Sequence, residues 1–329
     1  MSAALARFLA PAAAAALATA LFARLAPRIG WTDAPRGADA ARKAQRRPVP
    51  AVGGAALLVA LALVPETLVG TSGDALWARW LPGTPWRLAA LALVFVAGTL
   101  DDLRPLAPVQ KSLALVLALA PLVLGAGLEH GPLAAPLVLV LAFAALNLLN
   151  TFDNADGALG GLCALGFAGA AAPVAGACLG FLPFNLDAAR ARNRTSAAPS
   201  AYLGDAGAFV LAYLALVNPR AAGVFVLPFL DLARLAWVRW RAGSRPWIGD
   251  RRHLAHRLQA NGLGSVALAA VLCAIATPAC ALGWFALARD DARAAGLGVL
   301  ATGALFALAL RFARTSNPAA PCPPLARPE

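Results

Sequence analysis

A series of long apolar segments, separated by short polar loops, runs through most of this chain of 329 residues. The segments lie at 3–25, 52–70, 86–100, 112–128, 132–150, 157–184, 206–217, 221–238, 263–287 and 294–312. In a bilayer only helices and closed barrels satisfy every backbone polar group, and these segments lack the alternation of barrel strands. A spanning helix needs about 20 apolar residues, so the pattern predicts an all-α polytopic membrane helix bundle with about 10–11 transmembrane helices.

The composition agrees with a membrane protein and argues against a nucleic-acid-binding one. Hydrophobic residues make up 60% of the chain and charged residues only 13%, whereas soluble domains are about a quarter charged. The formal net charge of +12 comes from Lys and Arg that gather mainly in a set of motif-rich loops. These loops are 26–51, 101–111, 151–156, 185–205 and 239–262. The positive-inside rule makes them cytoplasmic, with the N-terminus outside and the C-terminus inside.

The apolar segment 157–184 is difficult to reconcile with this topology. Asp156 and Asp205 both face the cytoplasm only if the chain crosses an even number of times between them. The segment has 28 residues, whereas two full spans need about 40. We therefore expect two short helices that meet near Ala172–Pro173, or a re-entrant pair.

The remaining features suggest a single membrane domain. Residues 1–312 form the predicted transmembrane domain, and residues 313–329 form a Pro-rich cytoplasmic tail that we expect to be disordered. The five cysteines form no CxxC pair and match no zinc spacing, so we interpret them as packing residues.

Polar side chains end the apolar segment 132–150. Asn147, Asn150, Asp153 and Asp156 recur at every third position, directly before the turn signal of Gly157. A final turn of 3₁₀ geometry would align side chains three residues apart. Such groups are costly in hydrocarbon unless they are paired or bound to a metal. The pattern predicts a cluster of oxygen ligands at the membrane surface, with helix capping in a solvated turn as the alternative.

Two further acidic elements lie at the ends of other segments. Asp101 and Asp102 end one segment and Lys111 opens the next. Adjacent carboxylates repel, which can raise the pKa of one of them and make it a usable base. Asp205 begins a third segment, where the small neighbour Gly204 would let a large ligand approach. An ordinary charged loop and an N-cap aspartate are the respective alternatives.

A basic element, RAGSRPWIGDRRHLAHRL, carries His253, His256 and Arg257. Arg and His suit phosphate and sugar oxygens, although a positive-inside loop is the simpler alternative. All four elements share the predicted cytoplasmic face. Their carboxylate and amide oxygens suit Mg²⁺, which completes its shell with water and substrate phosphate. The residues alone thus predict a Mg²⁺-phosphate site at that face without naming a reaction.

Five motifs in a fixed order resemble those of the polyprenyl-phosphate N-acetylhexosamine-1-phosphate transferase superfamily, from about Gly30 to Gly264. They are GWTDAPRG…RKAQRRPVPAVGG, GTLDDLRPLAPVQK, NLLNTFDNADGALGG, YLGDAGAF and PFLDLARLAWVRWRAGSRPWIGDRRHLAHRL. The chain departs from the family pattern in that Ala255 replaces the middle histidine of H-x-H-H, Asn154 a glycine and Ala208 a serine. The segment 157–184 is also shorter than the family's two helices.

The resemblance implies a multi-pass enzyme of the bacterial inner membrane. Such an enzyme transfers a sugar-1-phosphate, such as GlcNAc-1-phosphate, from a UDP-N-acetylhexosamine to undecaprenyl phosphate and releases UMP. The product would initiate a lipid-linked envelope glycan, for lipopolysaccharide or cell wall. The implied cofactor is Mg²⁺, with Mn²⁺ as the alternative ion. The implied partners are the two substrates and membrane lipid, without nucleic acid, and a homodimer is left open.

The resemblance also implies roles for individual residues. The catalytic set is Asp101, Asp102 and Asp205, the metal ligands are Asn150 and Asp205, and the substrate-binding set is Lys111, Asn147, Asp153, Asp156, His253, His256 and Arg257. Asp101, helped by Asp102, would deprotonate or orient the lipid phosphate, and Lys111 would pair with phosphate. Asp153 and Asp156 would position the nucleotide. The two histidines and Arg257 would contact the sugar or its phosphate.

Other functions stay open at this point. An inactive relative that serves as an envelope-assembly scaffold is the more serious alternative, given the short segment 157–184. A phospho-MurNAc-pentapeptide transferase is a second alternative, although the reduced histidine motif favours the GlcNAc type. A secondary transporter is disfavoured, because the acidic residues lie at helix ends and the chain shows no internal repeat.

Overall fold

The computed structural model describes residues 2–34, 48–69, 77–186, 199–243, 252–289 and 291–315. These residues form fourteen α-helices and one small antiparallel sheet. The helices are α1 (Ala3–Leu25), α2 (Gly53–Leu61), α3 (Glu66–Val69), α4 (Thr84–Leu103), α5 (Pro108–Ala118), α6 (Ala120–His130), α7 (Ala134–Phe152), α8 (Ala158–Ala168), α9 (Ala172–Asn185), α10 (Gly204–Val217), α11 (Val226–Arg241), α12 (Leu254–Ala260), α13 (Ser265–Arg289) and α14 (Ala292–Thr315). Strand β1 (Thr32–Asp33) pairs with β2 (Val49–Pro50). The predicted all-α class is confirmed.

Several helices are long and apolar enough to cross a membrane. Five such stretches occur among the described residues, at Ala3–Ile29, Ala134–Phe152, Pro219–Arg241, Ser265–Arg289 and Ala292–Ala313. Helices α5 and α6, bent by 42°, would together make a sixth, and α8, α9 and α10 are shorter apolar helices. The multi-pass architecture is therefore confirmed. The expected 10–11 crossings assumed one continuous span for most segments, whereas the segments 52–70 and 112–128 each divide into two helices.

Helix α10 forms the centre of the bundle. Every residue from Ala206 to Val217 is buried, and α2, α4 and α7 pack around it. The packing is close because small residues face it. A Cβ atom on Gly98 of α4 would lie 2.4 Å from the Cα atom of Ala206, and one on Gly54 of α2 would lie 2.6 Å from the nitrogen of Gly207. Such small-residue contacts let membrane helices approach closely, and here they fix the beginning of α10 against the end of α4.

The segment 157–184 forms two short helices, α8 and α9, as expected. The break lies at 169–171 rather than at Ala172–Pro173, because Pro173 occupies the first turn of α9, where the missing N–H costs nothing. At a rise of 1.5 Å per residue the helices are about 16 and 21 Å long, shorter than a hydrocarbon core of about 30 Å.

These two helices form a hairpin that returns the chain to the side it left. The Oδ1 atom of Asn185, at the end of α9, accepts a hydrogen bond of 2.8 Å from the backbone N–H of Gly157, at the start of α8. Its Nδ2 atom donates to the carbonyl of Ala201 at 3.2 Å. Asp156 and the segment before Asp205 therefore lie on the same side, which the short apolar segment had left uncertain.

The segment before α10 also pairs with the first motif loop. Tyr202 donates its backbone N–H to the carbonyl of Pro50 at 2.8 Å, and the carbonyl of Tyr202 accepts from Gly53 at 3.0 Å. Helix α14 extends through Thr315, past the start of the predicted tail. Residues 316–329 of that tail lie outside the described residues, as do 187–198 and 244–251 of the basic loops.

Candidate active site

Asp102 caps the beginning of α10 from a neighbouring helix. Its carboxylate accepts hydrogen bonds from the backbone N–H groups of Asp205, at 2.7 Å, and Ala206, at 3.1 Å. These are among the first N–H groups of α10, which have no partner inside the helix. Gly204 has φ +74°, and a Cβ atom there would lie 2.6 Å from the Asp102 carboxylate. Glycine is therefore needed for both the left-handed backbone and the contact.

Lys111 joins three helices at the same point. Its Nζ atom lies 2.7 Å from an Oδ2 atom of Asp101, on α4, and 2.7 Å from that of Asp205, on α10. The Oδ1 atom of Asp101 accepts a 2.6 Å hydrogen bond from the backbone N–H of Leu106, in the turn that leads to α5. The ammonium group also lies 5.3 Å from the centre of the Phe209 ring, within the range of a cation–π contact.

The three carboxyl groups differ in their pKa values. Burial, and next the hydrogen bond with Asp101, raises the pKa of Asp205 to about 6, although Lys111 opposes this. Burial would also raise the pKa of Asp101, but hydrogen bonds with Asp205, Lys111 and Leu106 outweigh it and lower that pKa. Burial and the charge of Asp205 hold the pKa of Asp102 well above its ordinary value. One carboxylate thus stays ionised beside another that can hold a proton near neutral pH.

Asp153, directly after α7, carries a carboxyl group that has no partner among the described residues. It makes no hydrogen bond or ion pair with any residue that the structure describes. Burial, followed by the charges of Asp205 and Asp156, raises its pKa to about 8. The side chain keeps some solvent-accessible surface, but protein atoms surround it densely. Because an unpaired carboxylate in such a recess is costly, a cation or a hydrogen-bond donor from a ligand would relieve it.

The neighbouring polar residues of the same motif differ in their contacts. Asn150 makes no side-chain hydrogen bond within the described ranges, so its amide is available to a ligand. Asn147 donates its amide N–H to the carbonyl of Phe143 in its own helix, at 2.8 Å. The charge of Asp156 acts on Asp153. The structure thus brings together six predicted residues, here called the acidic cluster: Asp101, Asp102, Lys111, Asp153, Asp156 and Asp205.

The acidic cluster fits a hard divalent cation without forming a closed metal site. In the described part of the chain, no three His, Cys, Asp or Glu side chains are grouped to hold a metal ion. Mg²⁺ needs fewer protein ligands, because it keeps several waters and binds substrate phosphate. The oxygens of Asn150, Asp153 and Asp205 are the ligand type it prefers. The observation that favours a cation here is the Asp153 carboxyl, for which the described part of the chain supplies no partner.

The predicted histidine residues lie on a separate element. His253 precedes α12 and is buried, with its Nδ1 atom 2.9 Å from an Oδ2 atom of Asp231 on α11. The Nδ1 atom of His256 lies 3.2 Å from the Oε1 atom of Gln259, and the two histidine rings meet edge to face at 6.2 Å. Arg257 follows within α12, which packs against α13 and α14.

Two polar residues that organise these elements were not among the residues predicted from the sequence. Asp231 is buried in an apolar helix and holds His253, and Asn185 closes the α8–α9 hairpin. A signal for Asp231 existed, since an ionisable residue in an apolar helix normally requires a nearby partner, and Arg234 lies three positions later. Asn185 carried no local signal, because its partners are distant in sequence.

Together, the fold and the site define a polytopic membrane protein with an acidic, lysine-bridged site at one end of its central helix. No family model matches the chain. It is 23% identical over 288 residues to proteins named undecaprenyl-phosphate alpha-N-acetylglucosaminyl 1-phosphate transferase from Escherichia coli (strain K12), Shigella flexneri and Escherichia coli O157:H7. The alignments cover 74% of this chain and 73% of each relative. This similarity is distant but extends over most of each chain, and it supports both the resemblance to the polyprenyl-phosphate N-acetylhexosamine-1-phosphate transferase superfamily and an enzyme of the phosphotransferase class.

Proposed function

We propose that this protein transfers GlcNAc-1-phosphate from UDP-GlcNAc to undecaprenyl phosphate and releases UMP. The reaction depends on Mg²⁺ and takes place at the cytoplasmic face of the bacterial inner membrane. The relatives' name supplies the lipid and the sugar phosphate. The observation that carries the proposal is that Lys111 bridges Asp101 and Asp205, which brings two separate motifs to one point. Asp153 of a third motif lies within reach of the charge of Asp205 and has no partner among the described residues.

The reaction exchanges one phosphorus–oxygen bond for another. An oxygen of the lipid phosphate attacks the phosphorus that bears the sugar. A bond forms between that oxygen and this phosphorus. The bond from the phosphorus to the oxygen bridging to UMP breaks, and UMP leaves with the electron pair. Both substrates are anionic, so the site must supply positive charge at the point of attack.

The chain's residues divide this work. Lys111 lies between two carboxylates that fix the position of its ammonium group. The ammonium group can therefore pair with a phosphate at a defined point of the site. The lowered pKa of Asp101 makes this carboxylate a weak base. Asp101 is therefore better suited to orient the lipid phosphate, through Lys111, than to remove a proton from it. Asp205 and Asn150, with Asp153 beside them, would hold Mg²⁺. When bound, the ion would neutralise the diphosphate and the departing UMP.

The test is UMP release by the purified full-length protein. The protein in detergent is incubated with undecaprenyl phosphate, Mg²⁺ and each of several UDP-N-acetylhexosamines, with Mn²⁺ in parallel. We expect lipid-dependent UMP from UDP-GlcNAc that disappears with EDTA and in Asp205→Asn. Asp291→Asn is the control, since this carboxylate caps α14 and is not a member of the acidic cluster. A folded protein that releases no UMP from any donor would support an inactive scaffold instead.

A further inference from the structure

A second polar network connects α11 with the segment that leads into α12. Asp231 is 2% exposed, although it lies in an apolar helix. Its Oδ2 atom lies 2.9 Å from the Nδ1 atom of His253, and its Oδ1 atom lies 2.9 Å from the guanidinium of Arg234. The backbone N–H of Leu254 also faces both carboxylate oxygens, at 3.2 and 3.3 Å.

Arg234 extends this network to the preceding residue. Its Nη2 atom donates a 2.6 Å hydrogen bond to the backbone carbonyl of Arg252. Two side chains one turn apart on α11 therefore hold three consecutive residues, 252–254, by a carbonyl, an imidazole ring and an N–H. The ring of His253 is fixed at the residue that begins α12.

The network also selects the tautomer of His253. Arg234 and the Leu254 N–H are donors, so the Asp231 carboxylate acts as an acceptor and the Nδ1 atom of His253 carries the proton. The Nε2 atom is then the nitrogen left for a ligand, and no residue in the described ranges hydrogen-bonds to it. Functional histidines are commonly oriented by a carboxylate in this way.

We propose that Asp231 and Arg234 are positioning residues that present the Nε2 atom of His253 to the diphosphate of the sugar nucleotide, an inference that rests on the proposed function for the identity of that ligand. A role in stability alone explains the network poorly. Buried ion pairs add little net stability compared with apolar residues of similar size. The presence of ionisable side chains inside the apolar helix α11 is therefore better explained by their contacts with His253 and its neighbours, which fix the position of the imidazole ring.

The first test needs no substrate. The chain has three histidines, so ¹⁵N-histidine labelling gives few NMR signals, and His130→Gln and His256→Gln assign them. In the wild type, His253 should show a single tautomer with protonated Nδ1. In Asp231→Asn the amide can donate as well as accept, so the tautomer should become mixed or reversed. An unchanged tautomer would overturn the proposal even if the protein is an active transferase.

The second test asks whether Asp231 acts through His253. Asp231→Asn should lower kcat/KM for UDP-GlcNAc by about 10- to 100-fold, the range for carboxylates that orient metal-bound histidines. In a His253→Ala background the same substitution should cause no further loss. An equal loss in both backgrounds would show a general structural role and contradict the proposal. The control substitution Asp291→Asn should leave kcat/KM unchanged in both the wild-type and the His253→Ala backgrounds.

A further variant and the NMR measurement keep the two proposals separable. If Asp231→Asn does not fold, Arg234→Gln takes its place, because it releases Arg252 but keeps the contact between Asp231 and His253. Arg234→Gln should lower kcat/KM by less than Asp231→Asn does, and it should cause no further loss in a His253→Ala background. A loss of the same size in both backgrounds would overturn the proposal. If the wild type releases no UMP, the proposed function fails, while the tautomer still decides whether Asp231 positions His253.

Discussion

The carboxylate of Asp102 accepts a 2.7 Å hydrogen bond from the backbone N–H of Asp205, so a residue at the end of α4 sets the position of a residue at the start of α10. The two aspartates are more than 100 positions apart in sequence. The contact makes the Asp-Asp motif and the Gly-Asp motif one structural unit, in which Asp101 and Asp205 share Lys111 while Asp102 holds the backbone. Asp102 thus contacts protein N–H groups, and a direct part in the chemistry stays a prediction for it.

Replacing Asp102 with Ala should disable the site and weaken the cap of α10. Loss of an N-cap side chain typically costs about 0.5–2 kcal/mol, and the backbone of Asp205 would no longer be fixed. We expect at least a 100-fold fall in UMP release with a modest fall in the thermal unfolding midpoint, measured by fluorescence-detected unfolding.

Asp291→Ala is the matched control for this substitution. Asp291 accepts hydrogen bonds from the N–H groups of Arg293 and Ala294 at the start of α14, so it is an N-cap of the same kind. It should lower the unfolding midpoint to a similar degree and leave UMP release unchanged. Comparable losses of activity in both variants would mean that activity follows stability alone.

Replacing Lys111 with Met should make the protein depend on added Mg²⁺ for stability. Without the ammonium group, Asp101 and Asp205 face each other with no shared cation. The free energy of unfolding should fall by less than the roughly 3–5 kcal/mol that breaking a fully buried ion pair costs. The reason is that the side chains of Lys111 and Asp205 are each about a quarter exposed. Mg²⁺ should then raise the unfolding midpoint more in Lys111→Met than in the wild type. Equal shifts would argue against a cation between these carboxylates.

The pKa of Asp153 predicts how stability without Mg²⁺ changes with pH. The pKa is about 8 in the folded protein, against an ordinary value of 3.8. The folded protein therefore holds a proton that the unfolded chain has lost, and the free energy of unfolding falls as pH rises from about 4 to 8. Asp153→Asn removes this effect. The unfolding midpoint of Asp153→Asn minus that of the wild type should increase steadily from pH 5 to pH 8 and should not increase further at pH 9.

The same titration with saturating Mg²⁺ is the control. A bound cation favours the ionised carboxylate, so the difference between the wild type and Asp153→Asn should lose its pH dependence. A difference that is constant with pH in the absence of Mg²⁺ would show that Asp153 has an ordinary pKa.

The close contact of α4 and α10 predicts that Gly98→Ala is strongly destabilising. The added methyl group would lie 2.4 Å from the Cα atom of Ala206, so the backbones must separate. We expect a lower unfolding midpoint and loss of UMP release, since the shift carries Asp102 away from Asp205. Gly296→Ala on α14 meets no atom within 4 Å and should leave both measurements unchanged, or raise the midpoint slightly through helix propensity.

How much of this architecture the sequence predicted depends on the range of the interactions. Apolar length and the placement of Asp153 and Asp205 at the ends of apolar segments are local properties, and they predicted the all-α class and most of the acidic cluster. Local proline signals also explain the broken helices, since Pro121 lies in the first turn of α6 after the bend. The capping by Asp102 and the hairpin closed by Asn185 depend on residues distant in sequence, so no local pattern could predict them.

The most direct test of the proposed reaction follows the two phosphorus atoms of UDP-GlcNAc separately. The full-length protein is incubated with undecaprenyl phosphate, Mg²⁺ and UDP-GlcNAc labelled with ³²P on either the sugar-bearing or the uridine-bearing phosphorus. The lipid is then extracted into butanol. We expect the label on the sugar-bearing phosphorus to enter the lipid and the other label to remain in UMP. If the sugar reached the lipid while both labels stayed in water-soluble UDP, the protein would transfer sugar without its phosphate, which contradicts the proposed reaction.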